Sequence, residues 1–182
     1  MDKSPTTELV DLVTRAQRGD EVALHAIIVS YQNRVAGFVY AMMNRSDAVE
    51  DISQQVFIKM VRALHGLQAP AQFESWLFRL ARNTCIDHLR RQKLRRIFLP
   101  FEAEHEDVAE PAGAVNTEEL DALHHALAQL RPQERALIAL VQEGRSHAEI
   151  ALTLKTSVAA VKARLHRARE HLKEHYNSDN EK

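Results

Sequence analysis

Residues 73–96, FESWLFRLARNTCIDHLRRQKLRR, constrain the fold more than any other stretch. Phe73, Trp76, Leu77, Leu80, Ala81, Thr84, Ile86 and Leu89 recur at about the period of an α-helix, so one side of the segment faces a core. The second half carries Arg82, Arg90, Arg91, Lys93, Arg95 and Arg96 with only Asp87 against them. A helix that is half core and half cation, led by aromatics, suits a nucleic-acid strand. Its cations meet phosphates and its ring faces stack on unpaired bases. Taken alone, an ordinary core helix with a solvated basic face fits the segment equally well.

The rest of the chain also reads as helix. It has 182 residues but only 5 glycines, and no stretch alternates as a half-buried strand would. Thr6 or Thr7 is expected to cap a first helix with Leu9, Val10, Leu12, Val13 and Ala16 on its apolar face. Arg18-Gly19-Asp20 ends it, and Asp20 caps a second helix running through Leu24, Ile27, Tyr31, Val35 and Phe38. Asp47 and Glu50 have capping-box spacing before Ile52, Val56, Phe57, Met60, Val61 and Leu64. Residues 66–72, with Pro70, form a loop before the basic helix.

Residues 98–117 hold Pro100, Pro111 and Gly113 with little periodicity, and are expected to be a flexible linker. Beyond it, Asn116 and Glu119 could cap a helix through Leu120, Leu123, Leu127 and Leu130, and Pro132 suits the first turn of the next, which Gly144 ends. Ser146 and Glu149 box a short helix. Lys155-Thr156-Ser157 is a tight turn, and Ser157 caps a last helix to about Tyr176. Short helix, three-residue turn and longer basic helix make the helix-turn-helix pattern, packed through Ala148, Ile150, Ala151, Leu154, Val158, Val161 and Leu165.

Net charge excludes little, because 24 Lys plus Arg nearly balance 25 Asp plus Glu. The distribution says more. Residues 79–96 hold seven basic side chains and one acidic; residues 97–121 hold eight acidic and none basic; residues 131–173 hold nine basic and four acidic. Two basic modules therefore flank an acidic tether, which could also lie against a basic groove. The lone Cys85 rules out an internal disulfide. The N-terminus lacks the apolar core of a signal peptide, and no run approaches the ~18 apolar residues of a membrane span, so a cytoplasmic protein is expected.

Taken in order, LVTRAQRGDEVAL, DAVEDISQQVFIKMVRAL, FESWLFRLARNTCIDHLRR, LAQLRPQERALIALVQEGRSHAEIA and VKARLHRAREHL resemble a bacterial RNA polymerase sigma factor of the extracytoplasmic-function (ECF) group. The resemblance covers residues 8–172. It implies an all-α fold of two small helical domains: a sigma-2 bundle over residues 1–97, a flexible acidic linker over 98–116, and a sigma-4 helix-turn-helix domain over 117–176. Residues 177–182 are expected to be a disordered tail. The implied function is an alternative sigma factor that directs core RNA polymerase to promoters by reading the −35 duplex and recognising and melting the −10 element.

The resemblance also places roles. Asp47, Glu50, Asp51, Gln54, Phe57 and Ile58 would dock on the β′ clamp helices of the polymerase, whose β flap is a further implied contact. The loop over residues 66–73, with Trp76 and Asn83, would capture a base flipped from the −10 element. Arg79, Arg82, Arg90 and Arg91 would hold −10 phosphates. Lys162, Arg164, His166, Arg167 and Arg169 would contact the −35 element, Arg164 or His166 reading base edges. An anti-sigma protein is an implied partner. The chain departs from the family pattern at Gln55, where Glu is usual; at Lys155, where Gly is common; and at Ala159, Ala160 and Ala163, where a Gly-Thr pair and Ser are frequent.

Other patterns carry little. His171-Leu172-Lys173-Glu174-His175 spells H-x-x-E-H without a third ligand or a cleft. Cys85 and His88 are better read as a buried thiol beside a polar histidine. No phosphate loop, nucleophile elbow or carboxylate pair appears, so no cofactor, metal or enzymatic activity is expected. Two other functions remain open: a degenerate member that sequesters the polymerase, and a stand-alone helix-turn-helix regulator. The free modules could also pack on each other and hide their DNA-binding faces.

Overall fold

The computed structural model describes residues 5–98 and 117–180, and the described residues are helical with short turns between. The order is α1 (Pro5–Gln17), α2 (Glu21–Met43), α3 (Val49–Ala63), two 3₁₀ turns (Leu64–Gly66 and Pro70–Gln72), α4 (Phe73–Phe98), α5 (Thr117–Gln129), α6 (Pro132–Gln142), α7 (His147–Leu154) and α8 (Val158–Asn180). The expected linker and the Asn116 cap lie outside the described residues.

Local chemistry sets most boundaries. Gly19 takes φ +91° in the α1–α2 turn, and Asp20 accepts the Ala23 N–H at 3.0 Å. Arg15 braces that cap with two donors, at 2.8 and 2.7 Å from Asp20 Oδ2. Gln17 Nε2 donates to the carbonyls of Leu64 and Leu67 at 2.9 and 2.8 Å, pinning the α3–α4 connection to α1. In the second module Pro132 opens α6, Gly144 follows its end at φ +71°, and Ser146 with Glu149 forms the expected box on α7.

Three expectations are corrected. α1 starts at Pro5, so Thr6 and Thr7 lie inside it and neither precedes it as a cap. Ala48, not Asp47, precedes α3 and gives no side-chain cap; Asp47 is drawn instead into a two-bonded pair with Arg45. α8 continues through residues 177–180, with Ser178 Oγ donating to the Glu174 carbonyl at 2.8 Å, so the tail expected there is helical.

α2 buries one broad face and leaves a stripe through Val22, His25, Val29 and Gln32 exposed. Ala23, Ile27, Tyr31, Val35, Phe38, Val39, Met42 and Met43 are all buried, and α2 packs on α1, α3, α4 and α6. With Val13, Ile52, Val56, Met60, Phe73, Leu77 and Phe78 they form the first core. Ala122, Ala126, Leu130, Leu137, Leu140, Ile150, Val161, Leu165 and Ala168 are buried in the second module, whereas Ala148 and Val158, expected to pack there, are exposed. The two cores join. α6 lies on α2 and α7 on α4, and one cluster of buried side chains runs from Val13 to Leu165.

The α7–α8 turn places Lys155 at φ 51°, where a Cβ crowds the following carbonyl. Lys155→Gly is expected to raise stability by about 0.5–1 kcal/mol, the relief of strain partly offset by the greater freedom of glycine in the unfolded chain. Urea denaturation with an unchanged slope and a higher midpoint checks this; a lower midpoint contradicts it.

Candidate nucleic-acid interface

Helical spacing puts Trp76, Arg79, Asn83 and Arg90 on one stripe of α4, at i, i+3, i+7 and i+14. Trp76 is half-buried, its ring 5.9 Å from that of Phe73, so it belongs to the core and also presents an edge. Asn83 and Arg90 are exposed, and Asn83 Oδ1 accepts Arg82 Nη1 at 3.1 Å. Arg91 is exposed on another face.

On α8 the five cationic or imidazole candidates are all exposed, but they divide into two stripes. Lys162, His166 and Arg169 share one side. Arg164 and Arg167 share the opposite side with His171 and face α4. There they line a cleft of about 420 Å³ with Arg82, Arg131 and Glu134. It adjoins a second space of about 740 Å³ between Asn83, Ile86, Leu89, Arg90 and Lys93 of α4 and Arg131 and Pro132 of the second module. Side chains expected to serve two separate DNA elements thus meet across one cleft.

Four of the six residues expected to meet the polymerase share one groove. Glu50, Gln54, Phe57 and Ile58 line an open groove between α2 and α3, about 690 Å³ in volume, floored by Ile28, Ala36 and Val49. Asp47 and Asp51, the other two residues expected there, do not line it. Gln55 donates to Asp51 Oδ2 at 2.8 Å, so the residue that replaces the usual Glu ties down a carboxylate of the same helix.

What holds the cleft shut was not legible in the motifs. Arg145, after the Gly144 turn, has only 5% of its side chain exposed. It crosses to the first module, where Nη1 lies 2.6 Å from Glu74 Oε2 and the guanidinium stacks 5.1 Å from the centre of the Phe78 ring. Nη1 also reaches Glu149 Oε1 at 3.1 Å. Glu74 Oε1 accepts from Tyr31 Oη and Arg34 Nη1, both at 2.8 Å, and Arg34 Nε donates to Glu143 Oε2 of the second module at 3.2 Å. Tyr31 and Phe73 meet edge to face, as do Phe38 and Phe78. A lesser contact joins the far ends, where Asn44 Nδ2 donates to the His124 carbonyl at 2.7 Å. One signal was available: Glu74 is the only acid besides Asp87 on the otherwise basic α4 segment.

Burial alone would raise the Glu74 carboxyl, but the hydrogen bonds from Arg145, Arg34 and Tyr31 outweigh it and hold the pKa at about 2. Burial, with the Glu74 carboxylate, pushes the Tyr31 phenol up, so Tyr31 stays a donor. Burial pushes the Cys85 thiol up to about 12, which fits the inert thiol expected from the sequence.

A helix-turn-helix on a basic module, joined to a basic helical bundle with an apolar-acidic groove, defines a DNA-binding protein that also docks on a partner. The chain matches sigma-70 region 2 over residues 27–95 and sigma-70 region 4 over residues 120–172. It is 32% identical over 171 residues to the RNA polymerase sigma-H factor of Pseudomonas aeruginosa, covering 87% of this chain and 89% of that relative. It is also 32% identical over 171 residues to the ECF RNA polymerase sigma-E factor of Escherichia coli, with the same coverage of each. Among solved structures it resembles the sigma factor RpoE in complex with the anti-sigma factor NepR from Bartonella quintana, with a TM-score of 0.71, 21% identity, and 84% and 96% of the two chains covered. It also resembles CnrH in complex with the cytosolic domain of CnrY, with a TM-score of 0.68, 23% identity, and 94% and 98% covered. The chain belongs to the sigma-70 family, in its extracytoplasmic-function group, and is an alternative sigma factor acting with core RNA polymerase and promoter DNA in transcription initiation. No helix among the described residues is long and apolar enough to cross a membrane.

A carboxyl whose pKa is lowered by folding contributes stability above its ordinary value of 4.5, and the contribution is lost as pH falls from there toward 2. Glu74→Gln is therefore expected to lower the thermal midpoint at pH 7 by roughly 2–6 °C, for about 1–2 kcal/mol of charge-assisted bonding. The gap from wild type narrows in scans at pH 4 and pH 3; a gap that is constant with pH contradicts the role of the charge.

Proposed function

We propose that the first module, residues 1–97, engages core polymerase and the −10 element, and the second, residues 117–176, engages the −35 duplex. The observation that carries this reading is that three chemically distinct sets of side chains are each gathered on their own helix face. The groove of Glu50, Gln54, Phe57 and Ile58 offers an apolar anchor beside a carboxylate and an amide, suited to a helical partner bearing arginines, with Asp47 and Asp51 as further acids on the same segment. The stripe Trp76–Arg79–Asn83–Arg90 offers an aromatic edge, an amide and cations to an unpaired strand. Lys162, His166 and Arg169 project from α8 beside a free face of the helix-turn-helix, and Arg164 and Arg167 join them once the modules part.

The closed arrangement is the resting form of the free factor. Elements at −10 and −35 are separated by roughly 80 Å of duplex at ~3.4 Å per base pair. Arg82, Asn83 and Arg90 share one cleft with Arg164 and Arg167, so the closed chain cannot reach both elements. Docking on polymerase opens the Arg145–Glu74 contact and separates the modules. An anti-sigma protein, as in the complexes of the structural neighbours, is a fitting partner for the closed form. The protein acts in the cytoplasm, where the polymerase is, and supplies no catalytic group; bond formation belongs to the polymerase.

Run-off transcription with purified core polymerase on genomic promoter fragments tests the reading. New discrete starts with a shared pair of upstream elements are expected. Arg164→Ala and Lys162→Ala each lower −35-dependent output by about 5–100-fold, for ~1–3 kcal/mol of lost contact. Trp76→Ala lowers open-complex formation on duplex promoters and spares pre-melted ones, and Phe57→Ala weakens core binding. Core binding without any start contradicts initiation, and absence of core binding contradicts the polymerase face.

A further inference from the structure

In the closed form the cleft between α4 and the α6–α8 face gathers cations from both modules with little acid against them. Arg82, Arg90, Lys93, Arg131, Arg164 and Arg167 line it, and among the described residues the carboxylates lining it are Asp87 and Glu134. Glu134 is already engaged. Its Oε1 lies 3.0 Å from His171 Nδ1, and its Oε2 accepts the Arg131 backbone N–H at 3.0 Å. Asp87 meets Arg90 at only 3.9 Å between largely exposed side chains, a weak pairing. Arg82 stands between the two spaces. Its Nε is buried without a partner, and its Nη1 reaches only the neutral Asn83 amide. Burial, and the cations of Arg90 and Arg164, lower its pKa. A half-buried guanidinium among like charges is a standing cost, and an anion bound in the cleft would offset it.

We propose that the closed molecule binds a linear polyphosphate anion, free or carried by a nucleoside, in this cleft, with its phosphates bridging Arg82 on α4 to Arg164 and Arg167 on α8. Guanidinium forks match phosphate oxygens in pairs, and several adjacent forks match a chain of phosphates better than a single carboxylate. The spaces of about 740 and 420 Å³ suit a small ligand and exclude a duplex. Ile86, Leu89 and Pro132 provide an apolar shelf that a nucleoside base can cover. Because both modules supply cations, occupancy favours the closed form over the open one by mass action. The inference rests on the closed arrangement; its test uses no polymerase and no promoter, so it fails or stands apart from promoter recognition.

Calorimetric titration of the full chain, at about 0.15 M salt, with inorganic tripolyphosphate, magnesium-free ATP and adenosine decides the matter. Tripolyphosphate, ATP or both are expected to bind at one site, and adenosine is not. Tighter binding of ATP identifies the nucleotide source, and equal binding the phosphate chain alone. Arg82→Gln and Arg164→Gln each weaken binding by roughly tenfold or more. Arg18→Gln, which removes an exposed cation at the α1–α2 turn, leaves binding unchanged. Arg145→Ala, which removes no cation of the cleft but frees the modules, weakens binding as well. Circular dichroism confirms that each variant is folded. Absence of binding by both phosphate probes, or equal losses in Arg82→Gln and Arg18→Gln, overturns the site; full binding by Arg145→Ala overturns its interdomain character.

Discussion

One charge pair organises the molecule. Arg145 leaves its own module almost wholly buried and ends on Glu74, the carboxylate that Tyr31 and Arg34 already hold. A buried cation is costly unless it is paired, and Arg145 has both a carboxylate and an aromatic face to meet. That requirement fixes where α7 sits on α4 and, through Arg34 and Glu143, where α6 sits on α2. The shared core around Phe78, Leu140 and Ile150 then forms under the pair. Two helical modules that each fold around their own interior become one closed body.

This arrangement brings the cationic stripes together. In the closed form Arg82, Arg90, Arg164 and Arg167 face one another across a cleft, at an electrostatic cost. The open form proposed above relieves that cost by letting the same side chains meet phosphates on separated DNA elements. The groove lined by Phe57 and Ile58 is open in the closed arrangement, as the proposed docking of polymerase requires.

Local chemistry made the helices readable. Asp20, Pro132, Gly144 and Ser146 each mark a turn or cap by a short-range rule and behave as their residue types require, whereas Lys155 holds its turn at a φ of 51° against the preference of a side chain bearing a Cβ. Asp47 misled because Arg45 competes for its carboxylate, a contact that capping spacing does not weigh. Residues 177–180 misled because polar composition reads as tail while helix propagation from α8 carries through. The helical stripes on which Trp76, Asn83, Arg90, Lys162 and Arg164 lie were legible from spacing, while their roles rest on the family resemblance. Glu74, Phe78 and Arg145 were not, because their partners lie far away in sequence and a single charge on a helix carries no sign of whom it meets.

Small-angle X-ray scattering on the purified chain, free of partners and at low concentration, tests the central claim that the Arg145–Glu74 pair holds the resting factor closed. The account predicts a compact particle with a radius of gyration of about 16 Å, the value for a single globule of this length, and a clear expansion in Arg145→Ala. A wild-type particle as expanded as the variant, with two separated lobes in its distance distribution, would contradict it.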